Sequence, residues 1–184
     1  AAPYIITDDT ERALLDAGDA AAAEALYREL QVEAPESGPV IFGLACAQYL
    51  AGKQQAAAQS PDLAAGAFEA ARETFQQLIS LQDKSLRESA VFNQANCLTQ
   101  KAKLLDPIQH YDARVAALRE AVTAYEAILR DNPDHAGAQQ NLDHTRFLLK
   151  TLLQEAPEKQ EQEKQEQQDQ PPDQPPQGFS LFTE

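Results

Sequence analysis

The sequence predicts an all-α fold: a solenoid of about three helical hairpins, two of them elongated, with one further helix capping the end and a disordered tail behind it. Three observations lead there. A spacing of small, aromatic and aliphatic residues recurs three times at the same offsets. Much of the 43% apolar fraction is Ala, which favours helix over strand and lets helices approach closely, while Trp and Met are absent. Beyond Pro157 the composition turns to Glu, Gln, Lys and Pro, too polar to bury a core.

The recurring pattern aligns Ala23, Tyr27, Leu30 and Pro35 with Ala71, Phe75, Leu78 and Asp83, and with Ala121, Tyr125, Ile128 and Pro133. All three sets keep offsets of +4, +3 and +5, which place the first three residues on one helical face. The small residue admits a neighbouring helix, the aromatic fills the gap between units, and the fourth residue breaks the helix. Each set therefore reads as the second helix of a hairpin. Matching first helices carry Ile41-Phe42-Gly43-Leu44-Ala45 and Val91-Phe92-Asn93-Gln94-Ala95, and Gln140-Asn141-Leu142 begins a last one.

These segments resemble the tetratricopeptide repeat over roughly residues 8 to 150. The first helices are similar to its aromatic-Asn-Leu-Gly segment, Gly18 and Gly52 stand where its turn glycine falls, and Asp131-Asn132-Pro133-Asp134-His135 resembles its inter-repeat turn. The spacing departs from the family. Successive copies lie 71 − 23 = 48 and 121 − 71 = 50 residues apart, against a family period of about 34. Gly52 stands 19 residues before Ala71, whereas Gly18 stands 5 before Ala23, an excess of 14. Fourteen residues shared between two helices lengthen each by roughly 10 Å. The middle hairpins are thus expected to be tall, with helix continuous through 54–59 and 100–105 and turns at Ser60-Pro61 and Asp106-Pro107.

In order along the chain, the pattern predicts an extended segment at 1–7 and helices near 8–17, 20–34, 38–58, 62–82, 84–105, 108–131 and 134–155. The last helix carries Phe147, Leu148, Leu149, Leu152 and Leu153 to cover the final repeat, as a solenoid end requires. The helical domain spans 8–155, a disordered Gln/Glu/Pro-rich tail 156–177, and a short apolar motif 178–184. The tail reads as disordered because it is polar and low in complexity.

The net charge of −14 divides into −6 for residues 155–184 and −8 for the rest. Acidity in both parts disfavours nucleic acid and anionic lipid surfaces as partners. No apolar run of 18 residues exists to span a membrane. Nothing in the pattern points to an enzyme: no phosphate-cradling Gly loop, nucleophile elbow or paired-histidine metal spacing is present, and no cofactor, metal or small-molecule substrate is expected. His110, His135 and His144 are scattered. Cys46 and Cys97 fall at nearly equivalent places on successive first helices and read as buried, reduced, small apolar residues.

The candidate binding residues are Asn93, Asn96 and Asn141. In the peptide-binding members of the resembled family, first-helix side chains line an inner groove where Asn holds ligand backbone. A carboxamide both donates and accepts, so it pairs with an extended peptide. The alternative is that these amides bond within the repeat. The basic clamp of chaperone-binding members is not evident around Phe92 and Asn96. At the far end Phe179, Leu181 and Phe182 follow a long polar spacer and read as an anchor for a partner.

The terminal repeat, the Asn141-Leu142-Asp143 segment leading to Arg146-Phe147-Leu148-Leu149, and the Gln-rich tail resemble the bacterial aerotolerance-type (Bat) repeat proteins. That resemblance implies a cell-envelope or periplasmic location, with cytoplasm the alternative, and a von Willebrand A-domain protein or membrane complex as partner. The start Ala1-Ala2-Pro3 suits a mature chain after signal-peptide removal and suits a trimmed chain equally. The function expected from the sequence is an adaptor for other proteins. The alternative is a structural subunit permanently built into a larger envelope or enzyme complex.

Overall fold

The computed structural model describes residues 16–168, which form six α-helices and no strand: α1 Ala20–Glu33, α2 Gly38–Ala57, α3 Pro61–Gln76, α4 Lys84–Leu104, α5 Tyr111–Asp131 and α6 Ala136–Gln168. The expected segment 1–7, most of the helix at 8–17 and the motif at 178–184 lie outside these residues.

Short polar caps set three of the six helix starts. Asp19 accepts from the Ala22 N–H at 3.1 Å, Ser37 lies 3.5 Å from the Val40 N–H, and Asp83 accepts from the Leu86 N–H at 3.0 Å. Each satisfies a donor that the first helical turn leaves open. Pro61 opens α3, where its missing N–H costs nothing.

Successive helices pack as antiparallel neighbours, and a second set of contacts makes the arrangement solenoid-like. The α2, α4 and α6 helices touch one another in sequence, whereas α1, α3 and α5 make no such contact among the described residues. The first helices of the hairpins therefore form one continuous layer. The recurring pattern is the packing code: Ala23, Ala71 and Ala121 are fully buried, and Tyr27, Phe75 and Tyr125 are buried against the next helix. Edge-on aromatic pairs fill the seams, with Phe42 against Phe75 at 5.5 Å and Tyr49 against Phe68 at 5.4 Å. The single polar contact buried between α2 and α3 is satisfied, since the Thr74 hydroxyl lies 2.7 Å from Gln48 Oε1.

The tall hairpins are present. The α2 helix holds 20 residues and α4 holds 21, about 30 Å each. Gln59 closes α2 in a left-handed conformation, φ 57°, with its own N–H on the Ala56 carbonyl and the Ser60 N–H on the Gln55 carbonyl. Gly18, φ 77°, is a turn glycine as expected. Gly52 is not: it lies inside α2, buried, where a Cβ would meet Phe68 at 2.8 Å. Its small size answers a packing need rather than a turn.

Three boundaries differ from the sequence expectation. The α3 helix stops at Gln76 instead of 82, because the chain tightens into i→i−3 bonds donated by Gln77, Leu78, Ile79 and Leu81. The α5 helix starts at Tyr111 instead of 108, because Asp106 caps a separate turn through the N–H groups of Ile108 and Gln109, both at 2.8 Å. The α6 helix runs to Gln168 rather than ending near 155. Glu, Gln and Lys are strong helix formers, and Pro157 removes one donor without ending the helix.

Candidate functional site

The layer formed by α2, α4 and α6 carries a polar cleft of about 230 Å³. Tyr49 and Lys53 reach it from α2, Asn96, Thr99, Gln100 and Lys103 from α4, Tyr125 from α5, and Asn141, His144 and Thr145 from α6. Four helices therefore meet here. Two other hollows are less selective. One is built by the single segment 108–113, and the other sets Lys84 and Arg87 beside Glu88 and Asp131.

The floor of the cleft is a connected hydrogen-bond chain. Asn96 Oδ1 accepts from Tyr125 Oη at 2.6 Å and from Asn141 Nδ2 at 2.7 Å. Asn96 Nδ2 donates to Asn93 Oδ1 at 3.3 Å, and Asn93 Nδ2 donates to the Ser89 carbonyl at 2.9 Å. Beside it the buried hydroxyls of Thr99 and Thr145 lie 3.3 Å apart, and Thr99 also donates to the Ala95 carbonyl at 3.1 Å. This network orders three helices on one another and fixes the amide planes. Burial pushes the Tyr125 phenol up to about 12, so it stays a neutral donor to Asn96. Tyr49 is raised as well, again through burial, with Gln100 hydrogen-bonded beside it.

Two of the three sequence-identified amides, Asn96 and Asn141, thus come together in the cleft. Asn93 turns back to its own helix at Ser89 and meets the site only through Asn96. The alternative of bonding within the repeat is realised for Asn93 and, through Tyr125, for Asn96, whereas the bond of Asn141 crosses from one repeat to the next. Each amide nitrogen carries two hydrogens, so Asn141 keeps a second N–H beyond the one given to Asn96. Phe179, Leu181 and Phe182 lie outside the described residues.

Sequence reasoning missed the charge of the cleft. Lys53, Lys103 and His144 all line it, and no carboxylate does. Burial, followed by the charge of Lys53, lowers Lys103 below the usual lysine range. Burial, followed by the charge of Lys103, lowers His144. A signal existed: Lys53 and Lys103 are 103 − 53 = 50 residues apart, the interval that separates Ala45 from Ala95.

The thiols behave as the sequence predicts. Cys46 and Cys97 are free, Cys97 is fully buried, and both belong to the apolar cluster around Ile41, Ala71 and Phe75. Burial pushes each up to about 12, which suppresses the nucleophilic thiolate. Among the described residues no three His, Cys, Asp or Glu side chains are grouped to hold a metal ion. Among the same residues no helix is long and apolar enough to cross a membrane.

Fold and cleft together define a class: an all-helical stack of hairpins with a polar cleft on its first-helix layer. Compared with family models, with curated proteins and with solved structures, the chain finds no match.

Proposed function

We propose that this protein is a non-enzymatic scaffold of the tetratricopeptide kind, which receives an extended segment of a partner protein on the layer of α2, α4 and α6. The observation that carries this reading is the meeting of Asn96 and Asn141, from successive first helices, in one pre-ordered polar cleft. Both amides are held by neighbours before any ligand arrives, so little ordering cost remains at binding. Among the described residues the exposed large apolar side chains, Val32, Leu63, Phe147 and Leu153, are spread over three helices. That dispersal favours an adaptor that exists free of its partner over a permanently built-in subunit. The cell envelope, a von Willebrand A-domain partner and the anchoring role of Phe179, Leu181 and Phe182 belong to the same reading, on the strength of the sequence resemblance.

The test is a binding measurement with a purified candidate partner and the full chain. Asn141→Ala is expected to weaken binding by about 1 kcal/mol, roughly fivefold, with the helical signal retained. Unchanged affinity in a folded Asn96→Ala/Asn141→Ala double variant refutes the groove.

A further inference from the structure

The cleft has a property that peptide-backbone recognition does not require. The chain carries 29 acidic residues against 15 Lys and Arg, yet every charged side chain lining this cleft is basic. Lys53, Lys103 and His144 come from three different helices, so only the stacking of repeats assembles them. Like charges brought together without a counter-ion are unfavourable. Acids on the neighbouring elements have partners of their own: Glu126 with Arg146 at 2.7 Å, Asp143 with Gln139 at 3.1 Å, and Glu69 of α3 with Arg72 and Lys101. The remaining titratable groups facing the cleft are the Tyr49 and Tyr125 phenols, both held neutral by burial.

We propose that Lys53, Lys103 and His144 form a binding site for a tetrahedral dianion of the phosphoryl type, whose occupancy rises when His144 takes up a proton. A single negative charge would leave one lysine uncompensated, whereas a dianion balances both. A tetrahedral oxyanion also offers acceptors in all directions to donors that converge from α2, α4 and α6. Gln100 and Asn141 add amide donors at the same cleft. The space of about 230 Å³ equals roughly eight waters at their share of liquid volume, enough for the oxyanion and part of a carrier. The proton affinities of Lys103 and His144 are lowered by burial and then by a neighbouring lysine, Lys53 for the first and Lys103 for the second, and an anion would offset that repulsion. Binding the anion therefore favours protonation of His144, and by linkage a fall in pH strengthens binding. The negative field of the rest of the molecule keeps extended polyanions away, so the site selects an isolated group. The site stands whether or not a partner segment uses the rest of the layer.

The probe is the sulfate ion, a tetrahedral dianion whose own charge is constant across the range of interest. The full chain is titrated with sodium sulfate against sodium chloride at matched ionic strength, following the cleft amides by NMR. Saturable shifts at Asn96, Gln100 and Asn141 are expected with sulfate alone. Affinity should rise about fivefold from about pH 8 to about pH 5.5, the range of histidine titration. Lys53→Gln/Lys103→Gln, both at exposed positions, should weaken binding at least tenfold while the melting temperature stays put. His144→Asn should remove the pH dependence and retain binding at the higher pH. A phosphoserine peptide and its unphosphorylated twin distinguish the source. A gain over the free ion assigns the group to a partner side chain, no gain assigns it to a free oxyanion, and either supports the site. Equal responses to sulfate and chloride overturn the proposal. So does an unchanged pH profile in His144→Asn, or full affinity in the double lysine variant.

Discussion

Replacing Gly43 by Ala tests the close approach on which the first hairpin seam depends. A Cβ at this position lands 2.0 Å from Cε1, 2.1 Å from Cζ and 2.6 Å from Oη of Tyr27. Carbon atoms rest at about 3.5–4.0 Å, so the ring has to retreat by about 1.5 Å or more. Tyr27 is only 5% exposed and packs with Ala23, Leu30, Leu44 and Ala47, so any retreat presses on these neighbours or drives the ring outward. Overpacking costs about 1–3 kcal/mol, and losing a buried large apolar side chain costs about 1.5–3 kcal/mol. The helical preference of Ala over Gly returns about 1 kcal/mol. The net expectation is a loss of about 2 kcal/mol, or a melting temperature lower by about 4–8 °C. Thermal and urea melts of the full chain measure it, and a second background isolates the cause. With Tyr27→Ala in place the ring is gone, and adding Gly43→Ala should then be neutral or stabilising. A Gly43→Ala protein that melts at or above the parent temperature refutes the reasoning, as does an equal penalty in the Tyr27→Ala background.

The opposite sign is expected at Gly66, which is exposed on α3 with nothing within 4 Å of an added Cβ. Gly66→Ala should stabilise by about 0.5–1 kcal/mol, and a destabilised variant in the same melts contradicts that. Cys46 and Cys97, both raised to about 12 by burial, should resist alkylation in native buffer and react promptly in denaturant. Rapid labelling of the folded chain at neutral pH disproves the burial argument. Glu69 is held at about 2 by its hydrogen bond to Arg72, aided by Lys101. Because the folded value lies below the unfolded one, its stabilisation is complete above about pH 4.5 and is lost as pH falls toward 2. With 31% of the side chain exposed, solvent screening leaves about 1 kcal/mol of the nominal effect. Glu69→Gln should show that deficit at neutral pH and converge with the parent in acid; a constant deficit at both would assign the loss to packing.

The fold was legible because helical packing is written in local spacing. Ala23, Tyr27 and Leu30 lie at +4 and +3, and the same offsets at Ala71 and Ala121 lead to residues that are all buried. The two long hairpins were legible from the distance between copies, with Pro61 opening α3 and Pro107 in the turn that precedes α5. What spacing does not encode is the tightening of a helix end by its own backbone. Leu78 to Leu81 carry no breaker, and the stop at Gln76 follows from i→i−3 bonds that no side chain announces. Gly52 shows the reverse error. A glycine in a repeat reads as a turn, but the ring of Phe68, sixteen positions on, needs its missing Cβ.

The cleft divides in the same way. Asn96 and Asn141 were found because the tetratricopeptide resemblance places first-helix amides on an inner groove. Lys53, Lys103 and His144 were not, since an isolated basic residue on a helix ordinarily faces water. Their register nevertheless carries the information. A step of 50 residues takes Lys53 to Lys103 as it takes Ala45 to Ala95, and a step of 48 takes Asn96 to His144 as it takes Asn93 to Asn141. Each step restores the same place on the next first helix, and α2, α4 and α6 lie side by side. Residues equivalent by repeat therefore become neighbours in space. A basic side chain that recurs at one repeat position is then a converging group, although along the chain it reads as a solvated charge. The charge of a solenoid surface is accordingly read across its repeats, position by position, and here that reading isolates one basic site within an acidic chain.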